Sequence, residues 1–179
     1  VEAIGCDSGR MENILAGAWE SEIVVDAVIA QSEAQRMELW AIRDDVGQLN
    51  QFKPNFTFDV SLRISHMIDY VSEVNRGLEE RFPRMVKYIV GHMGDGNLHF
   101  FVCPGEGDNS LRHDVEACVY EPLAAISGSV SAEHGVGLEK KPWLGVSRSS
   151  EEIDLMKRMK LALDPKGILN PGKIFDLAS

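Results

Sequence analysis

Ten consecutive residues, Gly91-His92-Met93-Gly94-Asp95-Gly96-Asn97-Leu98-His99-Phe100, restrict what this chain can fold into more than any other stretch. Asp-Gly between two apolar runs is a strong hairpin signal, because both central residues of a type I′ turn need φ > 0. A two-residue turn at Asp95 and Gly96 places Gly94 opposite Asn97, Met93 opposite Leu98 and His92 opposite His99. Directly opposed residues share one face of a sheet, with Cβ atoms roughly 4.5–5.5 Å apart. Two imidazoles at that spacing can chelate one metal ion. Leu98, Phe100 and Val102 then turn to the other face, where a core would want them.

The flanking stretches supply the rest of a sheet. Phe56, Phe58, Val60 and Leu62 alternate with Thr57, Asp59 and Ser61, the period of a half-buried strand. Ser65 caps a predicted helix to Phe82, with Met67, Ile68, Val71, Val74 and Leu78 on one stripe, and Pro83 ends it. Residues 85–92 and 97–103 are the hairpin strands. Ser110 opens a helix to Ser127, bent at Pro122, and residues 129–133 read as a short fourth strand. This order, β-α-β-β-α-β, is an α+β, ferredoxin-like antiparallel sheet with its helices on one face. The His92/His99 face is the other one, so it needs water or a partner over it. Outside this core, residues 10–22 read as a helix and the β-branched run 23–30 as a strand. Ser32 with Gln35 opens a helix to about Val46, with Gly47 as C-cap, and Ser149 with Glu152 opens a last one.

A chain of 179 residues suits one domain, 1–179, carrying these additions at both ends. A net charge of −10 argues against a nucleic-acid surface, which needs clustered Lys and Arg. Cys6, Cys103 and Cys118 are odd in number and widely spaced, which reads as reduced thiols. With no apolar run near 18 residues and no leader pattern, the expectation is a cytoplasmic protein. Val1 in place of Met and a polar first decade read as a fragment of something longer.

Two histidines are two ligands, and a third must come from elsewhere. Glu133-His134, closing the fourth strand before a Gly-rich loop, is the best source. Glu133 completes a His-His-carboxylate set with open positions for substrate oxygens, which suits Zn²⁺, Mn²⁺ or Fe²⁺. His134 is then left as a general base. A solvated strand end competes evenly with that reading. Arg43, at the end of the Ser32 helix, can clamp a carboxylate, against the blander role of an ion pair with Asp44 or Asp45. Gly94-Asp95-Gly96 opens no helix and precedes no Gly-Lys-Ser/Thr, so it is no phosphate loop.

Three stretches carry a resemblance. They are the hairpin decade, Ser129-Val130-Ser131-Ala132-Glu133-His134-Gly135-Val136-Gly137, and Asp164-Pro165-Lys166-Gly167-Ile168-Leu169-Asn170-Pro171-Gly172-Lys173. Together they resemble the C-terminal domain of FAD-linked oxidases, in the D-lactate, glycolate and D-2-hydroxyglutarate dehydrogenase branch of the vanillyl-alcohol-oxidase-like superfamily. The resemblance implies an FAD-dependent oxidation of a D-2-hydroxy acid to a 2-oxo acid, with FAD held mainly by an N-terminal domain absent from these residues. On their own they are then expected to be inactive. It also implies a divalent metal, Zn or Mn, on His92, His99 and Glu133, a catalytic base at His134, a substrate-carboxylate arginine at Arg43 and a flavin contact at Asn170.

Two positions depart from the 2-hydroxyglutarate pattern. Thr57 stands where those enzymes carry a lysine, and Phe101 where they carry an asparagine. The expected substrate is therefore a monocarboxylic 2-hydroxy acid, lactate-like or larger. Two other readings stay open: a non-catalytic ferredoxin-like binding module, and an FAD oxidase of a phenolic alcohol. A homodimer is compatible with either, and the electron acceptor is unspecified.

Overall fold

In a computed structural model, residues 5, 7–45, 47, 51–105 and 109–177 are described. Contacts divide the chain into two units, residues 1–46 and 47–179. The first holds α1 (Ser8–Glu20), whose N-cap Asp7 accepts from the Gly9 N–H, and α2 (Glu33–Asp44). As expected, Ser32 caps α2 by accepting from the Gln35 N–H, at 3.3 Å. The return bond from Gln35 goes one residue further back, to the Gln31 N–H. The expected C-cap Gly47 lies beyond the observed one, Asp45, and Val46 is outside the described residues. Residues 23–30 form no strand. Val25 is 90% exposed, and β-branched residues favour a strand only where a neighbouring strand gives them something to pack against.

The second unit is built on three antiparallel strands: β1 (Phe56–Ser61), β2 (Val86–His92) and β3 (Asn97–Cys103), in the order β1-β3-β2. One face carries Phe56, Phe58, Val60, Phe100 and Val102, all buried beneath α3 (Met67–Arg81) and α4 (Arg112–Tyr120). Val74 and Leu78 of α3 and Val115 and Val119 of α4 complete that core. Burying each such side chain stabilises the fold by about 1.5–3 kcal/mol. Tyr70 ties the two helices together by donating to the Val119 carbonyl, at 2.7 Å.

Both core helices begin differently from their expected caps. Ser65 lies in a 3-10 turn, Ile64–His66, and the N-cap of α3 is His66, which makes no side-chain capping bond. Pro122 does more than bend the second helix. After Tyr120 the chain tightens into a 3-10 segment, Glu121–Ile126, and Ser127 stops it in the left-handed region. The last helix, α6 (Ser150–Leu163), follows the short α5 (Leu144–Ser147). It has the expected capping box, with Ser149 and Glu152 exchanging bonds of 3.2 and 2.8 Å.

The fourth strand is reduced to one bridge, Ser61 to Ser129. Its place beside β1 is that of the ferredoxin-like order. The reason it goes no further lies in where its donors go. The Val130 N–H donates to Ser147 Oγ and the Ser131 N–H to Ser129 Oγ. The next three N–H groups, of Ala132, Glu133 and His134, all donate to the Asp59 carboxylate. Side chains take every bond that a ladder would have used.

Candidate metal centre and active site

The hairpin turn is wider than the Asp-Gly pair suggests. Met93–Asp95 forms a 3-10 turn and Gly96 alone has positive φ, +78°. Asp95 is not left-handed; its carboxylate accepts from the Asn97 N–H instead, at 3.2 Å. The register therefore slips by two residues. His92 faces Asn97, and Val90 faces His99. A slip of two keeps every side chain on its face, so His92 and His99 meet diagonally, with ring centroids 5.6 Å apart. Two glycines make this possible. A Cβ on Gly91 would stand 2.3 Å from the Asn97 carbonyl oxygen, and one on Gly96 2.2 Å from that of Leu62.

The open face of the sheet consists of three rows: Ser61-Asn97-His92, Asp59-His99-Val90 and Thr57-Phe101-Tyr88. Glu133 reaches the first two rows from the loop. Its Oε1 lies 3.7 Å from His92 Nε2 and its Oε2 4.0 Å from His99 Nε2. One ligand atom from each of the three side chains falls within a 4.8 Å sphere of mutual distances. Two imidazole nitrogens and a carboxylate, with half-exposed His92 and Glu133 leaving room on the solvent side, form a donor set that fits a divalent cation.

A second cluster, Asp59, His99 and His134, is as compact. Its chemistry is different. Asp59 is fully buried, and its Oδ2 accepts from the Ser131 hydroxyl, from the N–H groups of residues 132–134 and from the Lys140 ammonium at 3.3 Å. The Lys140 ammonium already balances the Asp59 charge and five donors crowd Oδ2, so this set is the poorer host for a second cation. Burial by itself would raise the Asp59 carboxyl. The His134 and Glu133 N–H donors and the Lys140 charge outweigh it and hold the group down at about 2. Burial lowers Lys140 in turn, with Asp59 opposing it.

Asp59 thus organises the site without being exposed to it. Its Oδ1 lies 3.9 Å from His99 Nδ1, which favours the proton on that nitrogen and leaves the Nε2 lone pair toward Glu133. Its Oδ2 pins the His134 backbone and lies 4.0 Å from His134 Nδ1. The exposed His134 ring stacks on His99, with centroids 5.7 Å apart.

The C-terminal segment is fastened to the same loop. The Ile174 N–H donates to the Gly137 carbonyl at 2.8 Å, and Asn170 sits four residues earlier on an exposed turn, with φ +45°. That turn lines a small cavity together with Lys160, Lys173 and Phe175. Buried Asp164 holds the turn by accepting from the N–H groups of Ile168 and Leu169. Arg43 belongs to the first unit, where it pairs with Asp44 at 2.8 Å and lies over the Trp40 ring.

A profile of the family described as FAD linked oxidases, C-terminal domain, matches residues 6–174. The chain belongs to this family. It is 41% identical over 172 residues to a D-2-hydroxyglutarate dehydrogenase of Xanthomonas citri pv. viticola, covering 92% of this chain and 35% of that protein. It is 38% identical over 170 residues to the mitochondrial D-2-hydroxyglutarate dehydrogenase of Rattus norvegicus, covering 94% and 31%. A mitochondrial protein of Schizosaccharomyces pombe with the provisional name D-lactate dehydrogenase is 36% identical over 177 residues, covering 93% and 34%. The chain spans about a third of the length of these curated relatives.

Of the residues singled out in the sequence of this FAD-linked oxidase domain, His92, His99, Glu133 and His134 come together at one place. Three others there were not singled out: Asp59, Asn97 and Lys140. Alternation marks Asp59 as solvent-facing, and only the pairing of β1 with β3 puts it beside His99. Lys140 reads as half of a small basic pair. Asn97 reads as the first residue of its strand, opposite Gly94, until the two-residue slip places it opposite His92.

Proposed function

We propose that this domain forms the substrate and metal side of an FAD-dependent dehydrogenase acting on a D-2-hydroxy acid, the flavin being carried by a further domain. The observation that carries the reading is the convergence of His92 Nε2, His99 Nε2 and the Glu133 carboxylate, with His134 stacked beside them, on the sheet face that no core helix covers. Those three side chains would hold a divalent cation, which would supply Lewis-acid chemistry that makes a substrate hydroxyl more acidic. FAD would supply the hydride acceptor.

The work of this chain is positioning and proton transfer. Asp59 anchors the backbone of Glu133 and His134 together, so ligand and base move as one rigid piece. His134 takes the hydroxyl proton on its exposed imidazole as the hydride leaves, turning the alcohol into a ketone with atoms and charge balanced. Arg43 is assigned the substrate carboxylate and Asn170 a flavin contact on the family resemblance.

The relatives' names point to two acids of different charge, and the third row of the open face favours the smaller. Thr57, Phe101 and Tyr88 stand side by side there, and the Phe52 ring lies 6.0 Å from that of Tyr88. By register, none of the three strands puts a lysine or arginine on this face. A second substrate carboxylate lying along this row would meet phenyl rings instead of a cation, so the substrate is read as a monocarboxylate with a small or apolar side chain. Flavin reduction by a panel of D-2-hydroxy acids, measured on the full-length protein, tests both levels. D-lactate or a larger apolar analogue should reduce the flavin faster than D-2-hydroxyglutarate does. A faster reaction with the dicarboxylate would overturn the substrate reading and leave the chemistry standing. His134→Ala should abolish flavin reduction while the protein keeps its metal, and normal reduction in that variant would refute the assigned base.

A further inference from the structure

Asn97 is 3% exposed, at the start of β3, between Ser61 on one side and His92 on the other. Its amide Nδ2 donates to Glu133 Oε1 at 2.8 Å and lies 3.5 Å from His99 Nε2. Its Oδ1 is buried and has no hydrogen-bond partner. A buried amide oxygen left unpaired is costly, and asparagine is a poor strand residue in any case. Nothing in the packing of the sheet calls for an amide at this position. The shorter of its two side-chain contacts is to the carboxylate that completes the proposed metal set.

Building on the metal site proposed above, we infer that Asn97 is a positioning residue that aims Glu133 at the cation. Without a partner on its Oε1, the half-exposed Glu133 side chain is free to rotate toward water, and holding it costs rotamer entropy at the moment of binding. The Asn97 amide removes that freedom beforehand. It occupies one lone pair of Oε1 and leaves the carboxylate's remaining lone pairs for the ion. Groups that hold a ligand in this way typically change metal affinity 10–100-fold when removed.

The test is the Zn²⁺ affinity of the full-length protein, by competition with a chromophoric chelator, in four forms: wild type, Asn97→Ala, Glu133→Ala and the double variant. Asn97→Ala should bind Zn²⁺ about 10–100-fold more weakly than wild type. Adding it to Glu133→Ala should change affinity less than twofold, because there is no carboxylate left to aim. In the metal-free protein its thermal midpoint should not fall, since one hydrogen bond and one orphaned oxygen leave together. Asn97→Ser, too short to reach Glu133, replaces it in the same cycle if the alanine variant does not fold. Unchanged affinity in Asn97→Ala would overturn the inference, as would an equal loss in both backgrounds, which would make Asn97 a ligand or a general prop of the hairpin. Failure of the wild type to bind Zn²⁺ would instead overturn the metal site itself.

Discussion

At the scale of single residues, Asp59 decides most. Its carboxyl sits at about 2 against an ordinary 3.8, because the N–H donors and Lys140 outweigh its burial. A carboxyl lowered on folding stabilises the native state at pH values above its unfolded value, and the contribution fades as pH falls through the folded one. Here that window runs from about pH 4 down to about pH 2, and the shift amounts to about 2 kcal/mol at neutral pH. Asp59→Asn removes the charge and leaves Lys140 buried without its counter-ion, so it should lower unfolding stability at pH 7 by about 3 kcal/mol. Urea titrations at several pH values check both points. The wild type should lose stability between pH 4 and pH 2 more steeply than the variant, and parallel curves would show that Asp59 is not the group responsible.

At the scale of elements, the hairpin shows what can be read from a sequence and what cannot. Its existence, its position and the shared face of His92 and His99 follow from period-2 alternation around Asp-Gly. The loop length does not, because it depends on Asp95 capping Asn97 and on Gly96 passing close under the Leu62 carbonyl, which is a contact with another part of the chain. The fourth strand is shorter than its sequence suggests for a related reason. Local propensity does not reveal that a buried carboxylate on β1 will take the N–H groups of residues 132–134. The Ser32 cap of α2 and the capping box of α6 are legible because their partners lie three or four residues apart. Gly91 supplies the element's most direct test. With its Cβ position 2.3 Å from the Asn97 carbonyl, Gly91→Ala must push the two strands apart next to His92. It should lower stability by about 1–3 kcal/mol and weaken metal binding, and a variant with wild-type thermal midpoint would show that the close approach relaxes freely.

At the scale of the whole molecule, the sheet separates two tasks. One face is filled by Phe56, Phe58, Phe100 and Val102 under two helices and holds the fold together. The other carries His92, His99, Asn97 and buried Asp59, a set of polar groups that a hydrophobic core would not tolerate. The split was legible in the alternation of β1 and β3. The site's completeness was less so, since the proposed base and third ligand arrive from residues 133–134 through the hidden Asp59–Lys140 pair. We propose that His92, His99 and Glu133 form one divalent-cation site. It is tested most directly by the metal content of the purified full-length protein, measured by elemental analysis after loading with Zn²⁺ or Mn²⁺. The wild type should carry one equivalent per chain and the His92→Ala, His99→Ala double variant close to none; a full equivalent retained by the double variant would show that these histidines do not hold the ion.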